Sequence, residues 1–204
     1  MRALARAPML VRQVYPGALW KVGTNEQKLF LTFDDGPVPG VTPAALSILK
    51  EAKVPATFFC VGDNVRKHPE IFAQLKAEGH AVGNHTFHHA DGWKNTKLAY
   101  LRDVRRCAEQ FESPLFRPPY GRMRRSQFNA IRRKYKVVMW DVLTCDFDPQ
   151  LAKEEVLALA LRLSRPGSIV VFHDSEKAKE KMLWALPLYI AEMKRRGFEF
   201  GRIT

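Results

Sequence analysis

Leu29-Phe30-Leu31-Thr32-Phe33-Asp34-Asp35-Gly36-Pro37 is the stretch from which the rest of the sequence is read. Its first five residues look like a buried strand, and the Asp-Asp-Gly-Pro that follows is turn chemistry that stops it. Two adjacent carboxylates at a buried strand end repel one another unless a cation or an arginine compensates. The bland reading is an ordinary turn. The sharper one is a strand that delivers two acids to a site, pointing in different directions.

Outward from that strand, short apolar runs alternate with helical patterns. Thr42 is expected to cap a helix with Pro43 at its first position, running to about Lys53. Residues 56–60 read as a second strand, and a helix follows with Pro69 near its start and Gly79 just past its end. Residues 80–83 give a third strand, after which Asn95 opens a helix with Leu101, Val104, Ala108 and Phe111 on one stripe. Further strands are expected at 114–117, 137–140, 169–172 and 198–203. Between them lie helices carrying Phe128, Ile131 and Tyr135, then 153–164, then 186–196 ended by Gly197. About seven strands and six helices in alternation argue for one α/β domain built on a parallel sheet, open or closed into a barrel.

Composition narrows the class. The 204 residues suit a single domain, and 46% hydrophobic content is ample for a core. Three scattered cysteines (Cys60, Cys107, Cys145) exclude a disulfide framework and a Cys-x-x-Cys motif. The net charge is +12, and the segment 94–136 concentrates it, with 13 basic and 3 acidic residues. That excess suits an anionic partner or a solvated helix face, since Arg102, Arg105 and Arg106 lie off the apolar stripe. Residues 1–28 read as a basic N-terminal extension and 29–204 as the domain. The opening Met1-Arg2-Ala3-Leu4-Ala5-Arg6 looks like the charged start of a leader, but Arg6, Pro8, Arg12 and Gln13 interrupt the apolar stretch a leader needs. No run approaches the roughly 20 apolar residues of a membrane span. The default expectation is a cytoplasmic protein, with export or cell-wall association the alternative if a leader precedes this sequence.

The unusual polar residues fall just after predicted strands. Asp34 and Asp35 follow the first, and Asn84, His85, His88 and His89 the third. Arg117, Tyr120 and Gly121 end the fourth, Asp141 and Asp146 follow the fifth, and His173 with Asp174 the sixth. In a parallel α/β fold these positions share the carboxyl edge, where sites assemble. His85 and His89 are four apart, so one helical turn puts both imidazoles on one face. A carboxylate from the first strand completes a two-His, one-carboxylate set that leaves positions open for water and substrate. The other acid of the Asp34-Asp35 pair is then available to a water as a general base.

With these segments assembled, the sequence resembles the polysaccharide deacetylase family with the NodB homology domain, carbohydrate esterase family 4. Thr32-Phe33-Asp34-Asp35-Gly36-Pro37 is similar to its first motif, His85-Thr86-Phe87-His88-His89 to its His-Ser/Thr-x-x-His motif, and Arg117-Pro118-Pro119-Tyr120 to its third. Two later motifs are looser. Asp146-Phe147 stands where the family usually has Asp-Trp, and Val171-Phe172-His173 where it often has Leu-x-His. Phe147 can wall a sugar pocket but lacks the indole donor, and Val171 is smaller than the leucine that lines an acetyl pocket.

The resemblance implies a distorted (β/α) barrel that hydrolyses N-acetyl groups of amino sugars in glycans of chitin, chitooligosaccharide or peptidoglycan type. It implies that Asp35, His85 and His89 bind a divalent metal, commonly zinc, with cobalt, nickel or iron able to accept the same ligands. Asp34 is then the general base and Arg117 orients it. His173 is the general acid with Asp146 as its partner, and the Tyr120 backbone N–H helps stabilise the oxyanion. His88 reads as structural or solvent-facing. The expected partner is an acetylated glycan, an anionic cell-wall glycan included, and nucleic acid is not expected. Two rivals differ in class. One is a catalytically degraded module that binds glycan or nucleic acid through 94–136; salt-dependent binding without deacetylation distinguishes it. The other is a non-haem iron oxygenase, whose turnover requires oxygen and whose usual ligand order differs.

Overall fold

The computed structural model describes residues 5, 6 and 9–204, so the first four residues of the leader-like opening, and Pro8 among those that interrupt it, lie outside the described residues. Eight strands appear among those described: β1 (Lys28–Asp34), β2 (Thr57–Cys60), β3 (Ala81–Asn84), β4 (Leu115–Phe116), β5 (Lys136–Val137), β6 (Val142–Leu143), β7 (Ile169–His173) and β8 (Glu199–Gly201). The helices among the described residues are α1 (Met9–Val14), α2 (Thr42–Ala52), α3 (Gly62–Lys67), α4 (Pro69–Ala77), α5 (Lys97–Ala108), α6 (Arg125–Ile131), α7 (Lys153–Leu163) and α8 (Lys179–Arg195), with a 3-10 turn at Pro119–Gly121. No helix among the described residues is long and apolar enough to cross a membrane.

Every strand pairing is parallel, in the order β5-β4-β3-β2-β1-β7-β6. β8 pairs with the first residues of β1, Lys28 to Phe30, while β2 pairs further along, from Thr32 to Asp34. The result is a distorted, incompletely closed (β/α) barrel in which β1 pairs with three strands, β2, β7 and β8. Residues 19–22 help span its open side: Leu19 bridges Val138 and Lys21 bridges Ser168. Tyr15 and Trp20, from the same N-terminal stretch, are buried.

β1 has two buried faces, as an apolar strand in a parallel sheet should. Leu29, Leu31 and Phe33 join the main core, with Leu46 and Leu49 of α2 and Leu186, Tyr189 and Ile190 of α8. Phe30 turns the other way and packs with Phe59, Leu115, Val138 and Ile169. The period-2 alternation puts Thr32 and Asp34 on the Phe30 face, Asp34 at the carboxyl end.

Several local expectations are corrected. Thr42 is the first residue of α2 rather than its cap; its hydroxyl accepts from Val38 N–H and donates to Asp174. Thr96, not Asn95, caps α5 by accepting from Ala99 N–H. The strand expected over 137–140 ends at Val137, and a separate β6 begins beyond Asp141. Helix–strand alternation breaks twice, because both α3 and α4 follow β2 and no helix joins β5 to β6. α8 begins well before Leu186 and runs through Pro187, which lies on the exposed side where water can take the carbonyl that the ring leaves unbonded.

Candidate metal and catalytic site

The carboxyl end of β1 delivers two acids in two directions. Asp34 continues the strand and points inward, while Asp35 has φ +86°, a left-handed conformation that swings its carboxylate away. The turn is held from outside. Asn64 donates to the Asp35 carbonyl at 2.8 Å, and Asp174 accepts from Gly36 N–H at 3.1 Å. A side chain at Gly36 has no room, since a Cβ there would lie 1.9 Å from the Asp174 carboxylate.

His85 and His89 meet on one side of Asp35, though not through a helical turn. The segment between them is a loop with Thr86 at φ +64° and His89 at φ +53°. Its shape comes from side chains that cap its backbone. Asn84 accepts from Thr86 N–H, Thr86 accepts from Ala90 N–H, and Asp103 of α5 accepts from both Phe87 and His88 N–H. The first turn of α3 donates to the carbonyls of Thr86 and Phe87. The two rings end 5.1 Å apart.

His85 Nδ1 faces the Arg117 carbonyl at 2.8 Å. A carbonyl can only accept, so Nδ1 carries the proton and Nε2 keeps its lone pair. Burial pushes the His85 pKa down to about 4, which keeps the ring neutral at physiological pH. His89 Nδ1 lies 3.1 Å from the Tyr120 hydroxyl, and its Nε2 lies 3.0 Å from Asp35 Oδ1. Burial works against the Asp35 carboxylate, but the hydrogen bond from His89 and the surrounding imidazoles hold its pKa well below the usual range. The ligand atoms of Asp35, His85 and His89 all lie within 4.8 Å of one another. One carboxylate and two imidazoles oriented by outer partners are a donor set that suits a divalent transition metal. Lys177, not singled out in the sequence, reaches the other oxygen of Asp35 at 3.3 Å.

Asp34 sits against Arg117, which is fully buried. The guanidinium donates to Asp34 Oδ1 at 2.7 Å, to Thr32 Oγ1 at 2.8 Å and to the Val138 and Met139 carbonyls. Its carbon lies 4.1 Å from the centre of the Phe59 ring. Burial alone lowers the Arg117 pKa, and the Asp34 charge opposes that shift.

His173 is the strand neighbour of Asp34, the two being paired in the β1–β7 register. Its Nδ1 meets Asp146 Oδ1 at 2.7 Å, and its backbone N–H donates to the other Asp146 oxygen at 2.8 Å. Burial opposes the charged imidazole, yet the fully buried Asp146 carboxylate outweighs it and raises the His173 pKa to about 9. Phe147 packs edge-on against His173 at 4.8 Å. Val171 is buried beside Leu143 and Cys145, with Trp140 and Phe147 against them, forming an apolar wall.

Tyr120 lies in the 3-10 turn at φ +58°, closed by hydrogen bonds from Gly121 and Arg122 N–H to the Pro118 and Pro119 carbonyls. Its ring rests 4.6 Å from that of His89. His88 faces solvent and pairs with Asp103 at 2.5 Å.

Asp141 goes elsewhere. It immediately precedes β6, its N–H donating to the Ile169 carbonyl at the start of β7, so it lies at the opposite edge of the sheet from Asp146. There its buried carboxylate is held by Arg12, Arg165 and Ser168. Asp174 has no assigned role in the sequence reading, yet burial raises its pKa to about 8 beneath the Gly36 turn. Asp103 counted in the sequence only as one acid among arginines; its position in a helix facing the histidine loop is a tertiary fact.

A polysaccharide deacetylase family profile matches residues 21–139. The chain is 32% identical over 195 residues to a peptidoglycan-N-acetylglucosamine deacetylase of Bacillus cereus, covering 91% of this chain and 90% of the relative. It is 31% identical over 202 residues to a chitooligosaccharide deacetylase of Azorhizobium caulinodans, covering 89% and 95%. Its fold superposes on the crystal structure of a peptidoglycan N-acetylglucosamine deacetylase in complex with a naphthyl N-hydroxybenzamide. That match has a TM-score of 0.89 and 28% identity, over 97% of this chain and 95% of the other. Strand order, motif positions and these likenesses agree, and the chain belongs to the polysaccharide deacetylase family.

Proposed function

We propose that this chain is a metal-dependent hydrolase that removes N-acetyl groups from amino sugars of a glycan of chitin, chitooligosaccharide or peptidoglycan type. The observation that carries the reading is the convergence of three side-chain groups at one sheet edge, each suited to a different task. They are a cradle for a cation (Asp35, His85, His89), an arginine-paired acid (Asp34) and an aspartate-paired histidine on the adjoining strand (His173).

Asp35 Oδ1 and the Nε2 atoms of His85 and His89 would hold the cation, zinc being the best match to such ligands. When bound, such a cation supplies Lewis acidity at an amide carbonyl and lowers the pKa of water. Asp34 takes the proton of the water whose oxygen adds to the carbonyl carbon. Arg117 pairs with Asp34 and fixes its carboxylate in direction. The Tyr120 backbone N–H donates to the oxygen that gains charge, a contribution of about 3–4 kcal/mol for one well-placed donor. His173 gives its proton to the amide nitrogen as the C–N bond breaks, because an amine leaves only when protonated. Asp146 holds His173 charged and oriented. The products are acetate and a free amino sugar.

Acetate release from N-acetylglucosamine oligomers and from peptidoglycan tests the reading. Activity should vanish with a chelator and return with added zinc. Asp34→Asn and His173→Ala should each lose about 10²–10⁴-fold in kcat while retaining the metal. Undiminished turnover in the chelated protein would remove the cation from the scheme.

A further inference from the structure

Part of the basic stretch stands directly beside the reaction centre. Trp93 and Tyr120 are each 56% exposed, and neither is loose. The Trp93 indole N–H donates to the Met123 carbonyl at 3.2 Å, and its backbone N–H donates to Asp91 at 2.9 Å. Arg124 donates to the Trp93 carbonyl at 2.9 Å. Beside it, Gly92 packs so closely on the next loop that a Cβ would lie 2.4 Å from the Arg122 carbonyl. Buried Gln127 ties the same turn by donating to the carbonyls of Gly92 and Asn95.

Between the two rings lies the Arg122 guanidinium, 5.1 Å from the Trp93 ring centre and 5.7 Å from that of Tyr120. One arm pairs with Asp91 at 3.1 Å, while 42% of the side chain stays exposed. Tyr120 in turn touches His89. An aromatic–cation–aromatic ledge therefore runs outward from the cation cradle. A large ring held rigidly at the surface gives up burial that would otherwise stabilise the fold by about 1.5–3 kcal/mol. Rigid exposed aromatics flanking an arginine are the composition of a binding surface.

The chemistry of the ledge defines its occupant. Aromatic faces pack against the C–H face of a sugar ring. A weakly hydrated guanidinium takes a carboxylate in a two-pronged contact. We propose that Trp93, Arg122 and Tyr120 form a subsite for the sugar next to the one being deacetylated, and that Arg122 reads a carboxylate substituent on it. The proposal rests on the deacetylase reading for its placement. It names residues that would set preference among acetylated glycans, favouring strands with acidic substituents on alternate sugars.

The test is calorimetric binding of two probes of equal length to the zinc-loaded protein at low salt. One probe is a neutral N-acetylglucosamine oligomer. The other is a peptide-free peptidoglycan strand, whose alternate sugars carry a lactyl carboxylate. The acidic strand should bind roughly fivefold tighter, as expected for one exposed ion pair. The ratio should fall toward one in Arg122→Gln and in high salt, and Arg122→Lys should restore part of it. Trp93→Ala should weaken both probes. Equal affinities in the wild type, or a ratio unmoved by Arg122→Gln, would overturn the proposal. So would a single-stranded oligonucleotide that displaces the acidic strand at equal concentration. Acetate release from the neutral oligomer is followed separately: its absence counts against the deacetylase reading, while the affinity ratio still decides what Arg122 recognises.

Discussion

Arg117 donates to Asp34 at 2.7 Å, with side-chain exposures of 0% and 6%. The same guanidinium holds Thr32 and the carbonyls of Val138 and Met139, so it joins β1 to the chain beyond β5 as well as pairing the acid. A buried pair of this kind is weak support for stability when intact, but breaking it leaves a charge in a dry interior.

Arg117→Met should therefore destabilise the protein by about 3–5 kcal/mol, read as a lower urea midpoint. Arg117→Lys keeps the charge but loses the fork, so it should unfold at an intermediate midpoint and still show reduced turnover. A wild-type midpoint in Arg117→Met would refute the strut.

His173 carries a pKa raised from 6.5 to about 9, Asp146 overcoming the effect of burial. The folded state thus holds its proton more tightly than the unfolded chain. The stabilisation is complete below about pH 6.5 and fades as pH rises through about 9, an amount on the order of 3 kcal/mol. In its proposed role as proton donor, His173 would serve over the same range, so kcat/KM should decline on an alkaline limb near pH 9. Asp146→Asn should move that limb down by at least about one unit, and an unmoved limb would assign it to another group.

Asp174 behaves oppositely from most carboxyls. Burial raises its pKa from 3.8 to about 8, against the hydrogen bonds from Thr42 and Gly36. The folded state keeps a proton that the unfolded chain releases, so its contribution is most favourable below about pH 3.8 and declines until about pH 8. Asp174→Asn removes that titration. Urea midpoints at pH 5 and pH 8 should differ less in the variant than in the wild type, and parallel curves would contradict the assignment.

Lys177 places an ammonium 3.3 Å from the Asp35 carboxylate, with 53% of its side chain exposed. At the proposed metal site it would repel an incoming dication and compete for the Asp35 carboxylate. Lys177→Gln should tighten zinc binding by roughly two- to fivefold, in line with a solvent-screened charge, in competition against a chromophoric chelator. Weaker binding in the variant would mean that Lys177 supports the cradle instead.

The parallel architecture and the placement of Asp34, Asp35, His85, His89, Arg117, Asp146 and His173 at one sheet edge were legible without coordinates. Apolar runs bounded by turn residues mark strand ends, and a parallel sheet gathers its carboxyl ends together. Asp141 shows where that logic fails. A two-residue strand leaves too short an apolar signal to show on which side of it an acid falls, so Asp141 and Asp146 read alike while the fold sends them to opposite edges.

Residue types and spacing along the chain determined which chemistry the protein could assemble, because backbone propensity and periodicity are local. Only the tertiary structure decided how it is assembled. His85 and His89 converge through left-handed residues held by Asp103 of α5, not through a helical turn. Arg122 sits between Trp93 and Tyr120 because Gly92 lets two loops touch. Such contacts depend on packing between segments distant in sequence, and hydrogen bonds and sterics across that packing leave no periodic trace in the chain itself.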